Sequence, residues 1–126
     1  MARISDFELG WLCGILEGEG TFGFNSGTQR IGLQMTDEDA VYRVASLFER
    51  ITEGLAEVHS VNRTQPNPNH KDMFGLMICG ERARVVMRLV VNHMSYRRRQ
   101  RIWQSLNGFT PDKVDVLRIL SLVKET

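Results

Sequence analysis

The sequence predicts a mixed α+β domain in the order αββαββα, with a helical extension at its C-terminal end. Three observations carry this expectation. Two capping boxes each open a helical stretch, an alternating hairpin follows the first, and a second β-rich pair follows the other, so an αββ unit is read twice.

Ser5 with Glu8 makes the first capping box, and Phe7, Trp11, Leu12, Ile15 and Leu16 recur at helical spacing, which predicts a helix over 6–18 ended by Gly18 and Gly20. TFGFNS then alternates Phe22 and Phe24 against Thr21, Gly23 and Asn25. After a Ser26-Gly27 turn, Ile31, Leu33 and Met35 alternate against Arg30, Gly32 and Gln34, giving a hairpin with one apolar and one polar face. Thr36 with Asp39 reads as the second capping box. It opens a helix over 37–51 whose Val41, Val44, Ala45 and Phe48 form one stripe, closed by Gly54. EVHSVNR and FGLMIC read as the second strand pair, with the turn-rich RTQPNPNHKD between them. Gly80 precedes a helix over ERARVVMRLVVNHM, Ser95 breaks it, and an Arg-rich helix runs to Asn107-Gly108. Thr110-Pro111, as N-cap and first helical residue, start a last helix carrying Val114, Leu117, Leu120 and Leu122.

A chain of 126 residues can build one packed core but not two, so residues 1–126 read as a single domain. With 42% hydrophobic and 25% charged residues it is neither a disordered tail nor, lacking any apolar run near the roughly 20 residues a bilayer requires, a membrane protein. MARISDFELG has no uninterrupted apolar segment before a small-residue cleavage site, and an intracellular, cytoplasmic protein is expected. Cys13 and Cys79 sit in apolar contexts without zinc-ligand spacing and are expected as core fillers.

The net charge of +1 conceals segregation. Residues 1–62 hold four arginines against ten carboxylates, −6, and residues 63–126 hold twelve basic side chains against five acidic ones, +7. Seven arginines lie between Arg82 and Arg101, with only Glu81 beside them and no carboxylate among them. Such a run is either a phosphate-binding surface or a solvated helix face.

Two features of the first helix break local rules. Gly10, Gly14 and Gly18 are spaced by four, so they share a face on which each costs roughly 1 kcal/mol relative to alanine. That ridge suits close approach of another helix, such as a second copy of itself, or packing on a sheet within the chain. Glu17 and Glu19 also sit where the helix dipole is already negative, and something positive should compensate. If two copies met at their ridges the carboxylates would converge, and oxygen-only ligands would favour Mg²⁺ or a similar hard cation such as Mn²⁺.

LCGILEGEG, residues 12–20, resembles the LAGLIDADG motif of homing endonucleases, and the likeness takes in Trp11, the TFGF strand, QRIGLQMTDEDAVYRVASLF and MSYRRRQRI. It covers about residues 7–107. One copy of the motif is present, and single-motif members are homodimers joined through their motif helices. The resemblance implies that Gly10, Cys13, Gly14, Glu17 and Gly18 line that interface. It also implies that Glu19 binds the catalytic metal with help from the Gly18 carbonyl, and that Glu17 is structural. Glutamate replaces the motif's aspartate at both acidic positions and cysteine replaces its alanine at Cys13. The antiparallel sheet would form a saddle over the major groove. Its outward set would be Thr21, Gly23, Asn25, Arg30, Gly32 and Gln34 from the first hairpin, with His59, Arg63, Met73 and Met77 from the second; Arg30 suits guanine and Gln34 adenine. Arg97 or Arg98 falls near the basic position that approaches the scissile phosphates. Asp37 is either near the nucleophilic water or part of a helix N-terminus. His70 reads as loop, and His93 as touching backbone or core.

The expected function is therefore a homodimeric, metal-dependent endonuclease that makes a double-strand cut in a long, near-palindromic DNA site, the activity behind intron or intein mobility. Its partners would be duplex DNA and itself, with no membrane. The alternative is a cleavage-inactive DNA-binding regulator, or an RNA-binding splicing helper (maturase), of the same fold.

Overall fold

The first capping box is complete in the computed structural model, which describes residues 4–61 and 72–107. Ser5 Oγ accepts from Glu8 N at 3.1 Å, Glu8 Oε1 accepts from Ser5 N at 2.8 Å, and α1 runs behind them over Asp6–Glu19. Glu8 has a second task. Arg50, from the end of the next helix, donates to its two oxygens at 2.5 and 3.1 Å, clamping the start of α1 to the end of α2 (Glu38–Thr52). The Arg50 guanidinium first, then the Ser5 amide, hold the Glu8 carboxyl down to about 2, against an ordinary 4.5. A carboxyl lowered on folding contributes stability that is present above its ordinary value and is lost on acidification. Urea denaturation across pH 6 to 2 should accordingly show a loss between about 4.5 and 2 in the wild type that is shallower in Glu8→Gln.

α1 is followed at once by β1 (Gly20–Asn25) and β2 (Thr28–Met35). Their two-residue connection has Ser26 at φ 53° and Gly27 at φ 81°, the paired positive values that match a tight turn to the twist of a hairpin. α2 begins one residue later than the sequence predicts. Asp37, not Thr36, is the N-cap, and its Oδ1 accepts from Ala40 N at 3.1 Å. A carboxylate is favoured over a hydroxyl at this positive helix end. The far end also differs from expectation, for Glu53 takes the left-handed position at φ 56° and closes the helix on Glu49 O before Gly54 is reached.

β3 (His59–Val61) and β4 (Met73–Cys79) form the second pair, and the sheet is wholly antiparallel in the order β1-β2-β4-β3. The second strand of each hairpin thus lies at the centre. Ile31 opposite Ile78 and Leu33 opposite Leu76 fix that central register, since a slip of either strand by one residue would turn its buried pair to solvent. α3 (Glu81–Val90) does not continue to Met94 as predicted. It gives way to a 3₁₀ turn over Val91–His93, and Met94, in extended conformation, is buried as a plug before α4 (Tyr96–Asn107) starts. The expected helix after Thr110-Pro111 lies outside the described residues, as do Arg63 and His70.

α1, α2 and α3 pack on one face of the sheet, where Leu12, Leu16, Val41, Phe48, Val86 and Met87 are at or near zero exposure against the inward residues of β2 and β4. Over the described residues the protein is thus α+β, with four α-helices and a four-stranded antiparallel sheet. Among the described residues no helix is long and apolar enough to cross a membrane.

Candidate nucleic-acid interface

Strand parity decides what the other face of the sheet presents. Phe22, Ile31, Leu33, Leu76 and Ile78 point to the core, so Thr21, Gly23, Arg30, Gly32, Gln34 and Met77 share the opposite face, as expected from sequence. Thr21, Asn25, Arg30, Gln34, His59 and Met77 are exposed there, and Met73 is half-buried. Gly32 lies under its neighbours, for a Cβ at that position would meet Thr21 Oγ1 at 3.0 Å and Met77 Cε at 3.5 Å. The same parity corrects one expectation. Cys79 is exposed beside Arg30 rather than in the core, because Ile78 before it faces inward. Cys13 is buried as expected, and burial pushes its thiol up.

β1 is an edge strand, so alternate carbonyls lack a strand partner. α4 runs along this edge and meets them with arginine: Arg98 donates to Gly20 O, and Arg101 Nε donates to Phe22 O at 2.9 Å. Farther along, Ser105 O accepts from Gln29 Nε2 at 3.0 Å, and Arg84 donates to Gln29 Oε1 at 2.8 Å, so buried Gln29 ties α3 and α4 to the hairpin. The sequence showed that the arginines were clustered but not that they would be drawn to a sheet edge. Between α4 and the open face lies a cleft of about 650 Å³. Its charged lining is Arg30, Arg97, Arg98 and Arg101, joined by Gln100 and Gln104, and among the described residues no carboxylate lines it. Such a lining gives the cleft a positive potential.

The two acidic residues at the C-terminal end of α1 are used differently. Glu17 bonds to the start of α4, where Oε1 accepts from Ser95 N at 2.5 Å and Oε2 from Ser95 Oγ at 3.0 Å, with Arg98 Nε 3.5 Å away. The positive end of α4 thereby compensates the carboxylate that α1's own dipole disfavours. Glu19 has no hydrogen-bonding or ion-pairing partner among the described residues. It is exposed at the last position of α1 and borders a hollow of about 330 Å³ with Thr21, Gln34, His59 and Met77, at the margin of the open face. Beside it the carbonyl of Gly18, in the last turn, has no intrahelical N–H to accept from. Among the described residues no three His, Cys, Asp or Glu side chains converge to hold a metal ion, so within one chain Glu19 and this carbonyl are oxygen donors short of a full set.

Among the described residues the glycine ridge has no packing partner. A Cβ at Gly10, Gly14 or Gly18 would meet nothing within 4 Å, so the reading of the ridge as packed on the sheet of its own chain is overturned; α1 rests on the sheet through Leu12 and Leu16 instead. Beside the ridge runs a groove of about 550 Å³ lined by Leu9, Gly10, Cys13, Gly14, Glu17 and His93 among others. His93 is exposed there rather than in the core. Phe7, counted from sequence with the apolar stripe, is 75% exposed on the ridge side, and Trp11 is half-buried with the Arg43 guanidinium 4.1 Å from its ring. Sequence periodicity could not separate the inward pair from the outward one, because α1 is apolar on both sides. Asp37, as the N-cap of α2, takes the structural of its two expected roles. No protein-family model matches the chain, and no curated protein matches it.

Proposed function

We propose that the chain is a site-specific DNA endonuclease of the LAGLIDADG type, acting as a homodimer on a long, nearly two-fold symmetric duplex site. The observation that carries this reading is the juxtaposition of a carboxylate-free arginine cleft, an open polar sheet face and the unengaged Glu19 at that face's margin. A dimeric protein with no nucleic-acid partner would account for the bare glycine ridge but not for this arrangement.

A major groove about 12 Å wide admits two strands abreast, which here are the central β2 and β4. Arg30 and Gln34 on β2 would read base edges, with Met77 on β4 available to thymine methyl groups. Two copies related about the α1 ridges would cover about two helical turns, roughly 20 base pairs, with a Glu19 from each near the centre. Glu19 and the Gly18 carbonyl would hold a hard divalent cation, which when bound supplies charge neutralisation at the scissile phosphate and acidifies water. Glu17 keeps α4 docked against the end of α1 and so holds the arginines in reach.

The bonding pattern also separates two neighbouring arginines. Arg98 is occupied by Gly20 O and Glu17, whereas Arg97 is exposed in the same cleft and has no polar partner among the described residues. Arg97 therefore takes the scissile phosphate, and Arg98 is a positioning residue. Arg97→Ala should slow cleavage about a hundredfold with an unchanged melting temperature. Arg98→Ala should cost about 1 kcal/mol of stability through the lost edge bond. Single-turnover cleavage and thermal melts on both variants check the assignment.

Selection from random duplexes, followed by incubation of a plasmid carrying the recovered site with Mg²⁺, tests the whole reading. A two-fold symmetric consensus and linearised plasmid are expected. Binding without cutting at any divalent ion would leave only the regulator, and preference for structured RNA would point to the splicing helper.

A further inference from the structure

Arg101 is not needed to explain the motif helix, the sheet face or the scissile phosphate, yet its setting in the arginine cleft is well defined. Its Nε donates to Phe22 O at 2.9 Å, which leaves the four N–H groups of its two terminal nitrogens unassigned by that bond. Those nitrogens are carried over the edge strand, since Nη2 would lie only 3.3 Å from a Cβ at Gly23. Any side chain at position 23 would require the guanidinium to give by a few tenths of an ångström, whereas glycine, otherwise a poor strand residue, leaves the space it occupies. Across the strand pair Gly23 faces Arg30, so the fork of Arg101 adjoins the base-reading face at its outer rim.

We propose that Arg101 is a dedicated clamp for a DNA backbone phosphate, held ready by the Phe22 carbonyl and given its place by the missing side chain of Gly23. The inference rests on the DNA reading of the cleft and adds to it a contact that belongs to neither the cut nor the base code. Phosphate is the expected partner because β1 is the outermost strand. If β2 and β4 occupy the groove, the rim beside them meets its wall of phosphates rather than base edges. An arginine already bonded on one side also loses less freedom on binding than a free one, and its paired terminal N–H groups match two phosphate oxygens.

The test measures binding of a short duplex of arbitrary sequence, by fluorescence anisotropy across a salt series, for wild type, Arg101→Gln, Arg101→Lys and Gly23→Val. Each phosphate contact adds about 0.9 to the slope of log K against log salt. Arg101→Gln, which can still donate to Phe22 O, is expected to lower the slope by about that amount and weaken binding about tenfold, and Arg101→Lys to restore most of the slope. Gly23→Val should weaken binding comparably while its melting temperature holds or rises, because valine favours strands. A purely structural Arg101 would lower the melting temperature and leave the slope alone. An unchanged slope in Arg101→Gln with wild-type binding intact overturns the clamp alone. In the same assay run on the recovered site and its single-base variants, loss of preference at one base pair in Arg101→Gln overturns it in favour of base reading. Absence of salt-dependent binding in the wild type overturns the DNA reading and the clamp together.

Discussion

Glu19→Gln is expected to abolish cleavage while leaving duplex binding and the fold in place. Glutamine keeps the shape of the side chain and removes its charge. Because Glu19 is exposed at the end of α1 without a bonding partner among the described residues, no internal contact is lost. Removing a negative charge from the negative end of a helix should instead raise stability by a few tenths to about 1 kcal/mol. Changes just outside a metal's own ligands commonly cost ten- to a hundredfold, so loss of the carboxylate ligand itself should exceed about a hundredfold in cutting. Affinity should hold or improve, with one fewer anion beside the phosphates. Glu17→Gln provides the contrast. Its carboxylate accepts from both donors of Ser95 and approaches Arg98, so its variant should melt lower and lose activity only as α4 loosens. If Glu19→Gln cut like the wild type, or if the two variants behaved alike, the proposed catalytic role of Glu19 would be lost.

What could be read from the sequence divides along a physical line. Elements were legible wherever one face is apolar and the other polar: the alternation in the first hairpin gave both strands and the sidedness of Thr21, Arg30 and Gln34, and the stripe of α2 gave Val41, Val44, Ala45 and Phe48 of its buried set, though not Leu47 and Ile51. Where two neighbouring residues offer the same local chemistry, spacing could not choose between them. Thr36 and Asp37 can each cap a helix, and Arg97 and Arg98 can each meet a phosphate; only the bond to Ala40 and the bond to Gly20 O distinguish them. Tertiary consequences were hidden altogether. Nothing local announces that Gln29 would be buried as the knot between α3, α4 and the hairpin, that Glu17 would find its compensation seventy-eight residues away at Ser95, or that Gly23 makes room for an arginine. The charge imbalance between the halves did announce a concentration of arginine in the second half. Its effect depends on α4 lying along the β1 edge, and that is a property of packing rather than of order along the chain.

Gly14→Leu should make the isolated protomer more stable and destroy the dimer. The two effects have separate causes and opposite signs. In one chain, a side chain at position 14 enters open space, since a Cβ there meets nothing within 4 Å, and replacing a mid-helix glycine gains about 0.5–1 kcal/mol in helical preference. In the proposed dimer the same leucine would stand on the surface where the backbones come together, and each copy would carry it, doubling the clash about the two-fold axis. Sedimentation should find the wild type as a dimer and the variant as a monomer. Melts provide an independent check, because a dimer's melting temperature climbs with protein concentration by mass action and a monomer's does not. The variant should therefore show a concentration-independent transition and no double-strand cutting, having lost the second Glu19. Phe7→Ala, which removes the exposed aromatic ring beside the ridge, should weaken self-association without the gain in helix stability of Gly14→Leu. A dimer undiminished by leucine at position 14 would mean that this ridge is not where copies of the chain meet. The convergence of the two acidic helix ends, and with it the proposed means of cutting both strands at one site, would then have no structural basis.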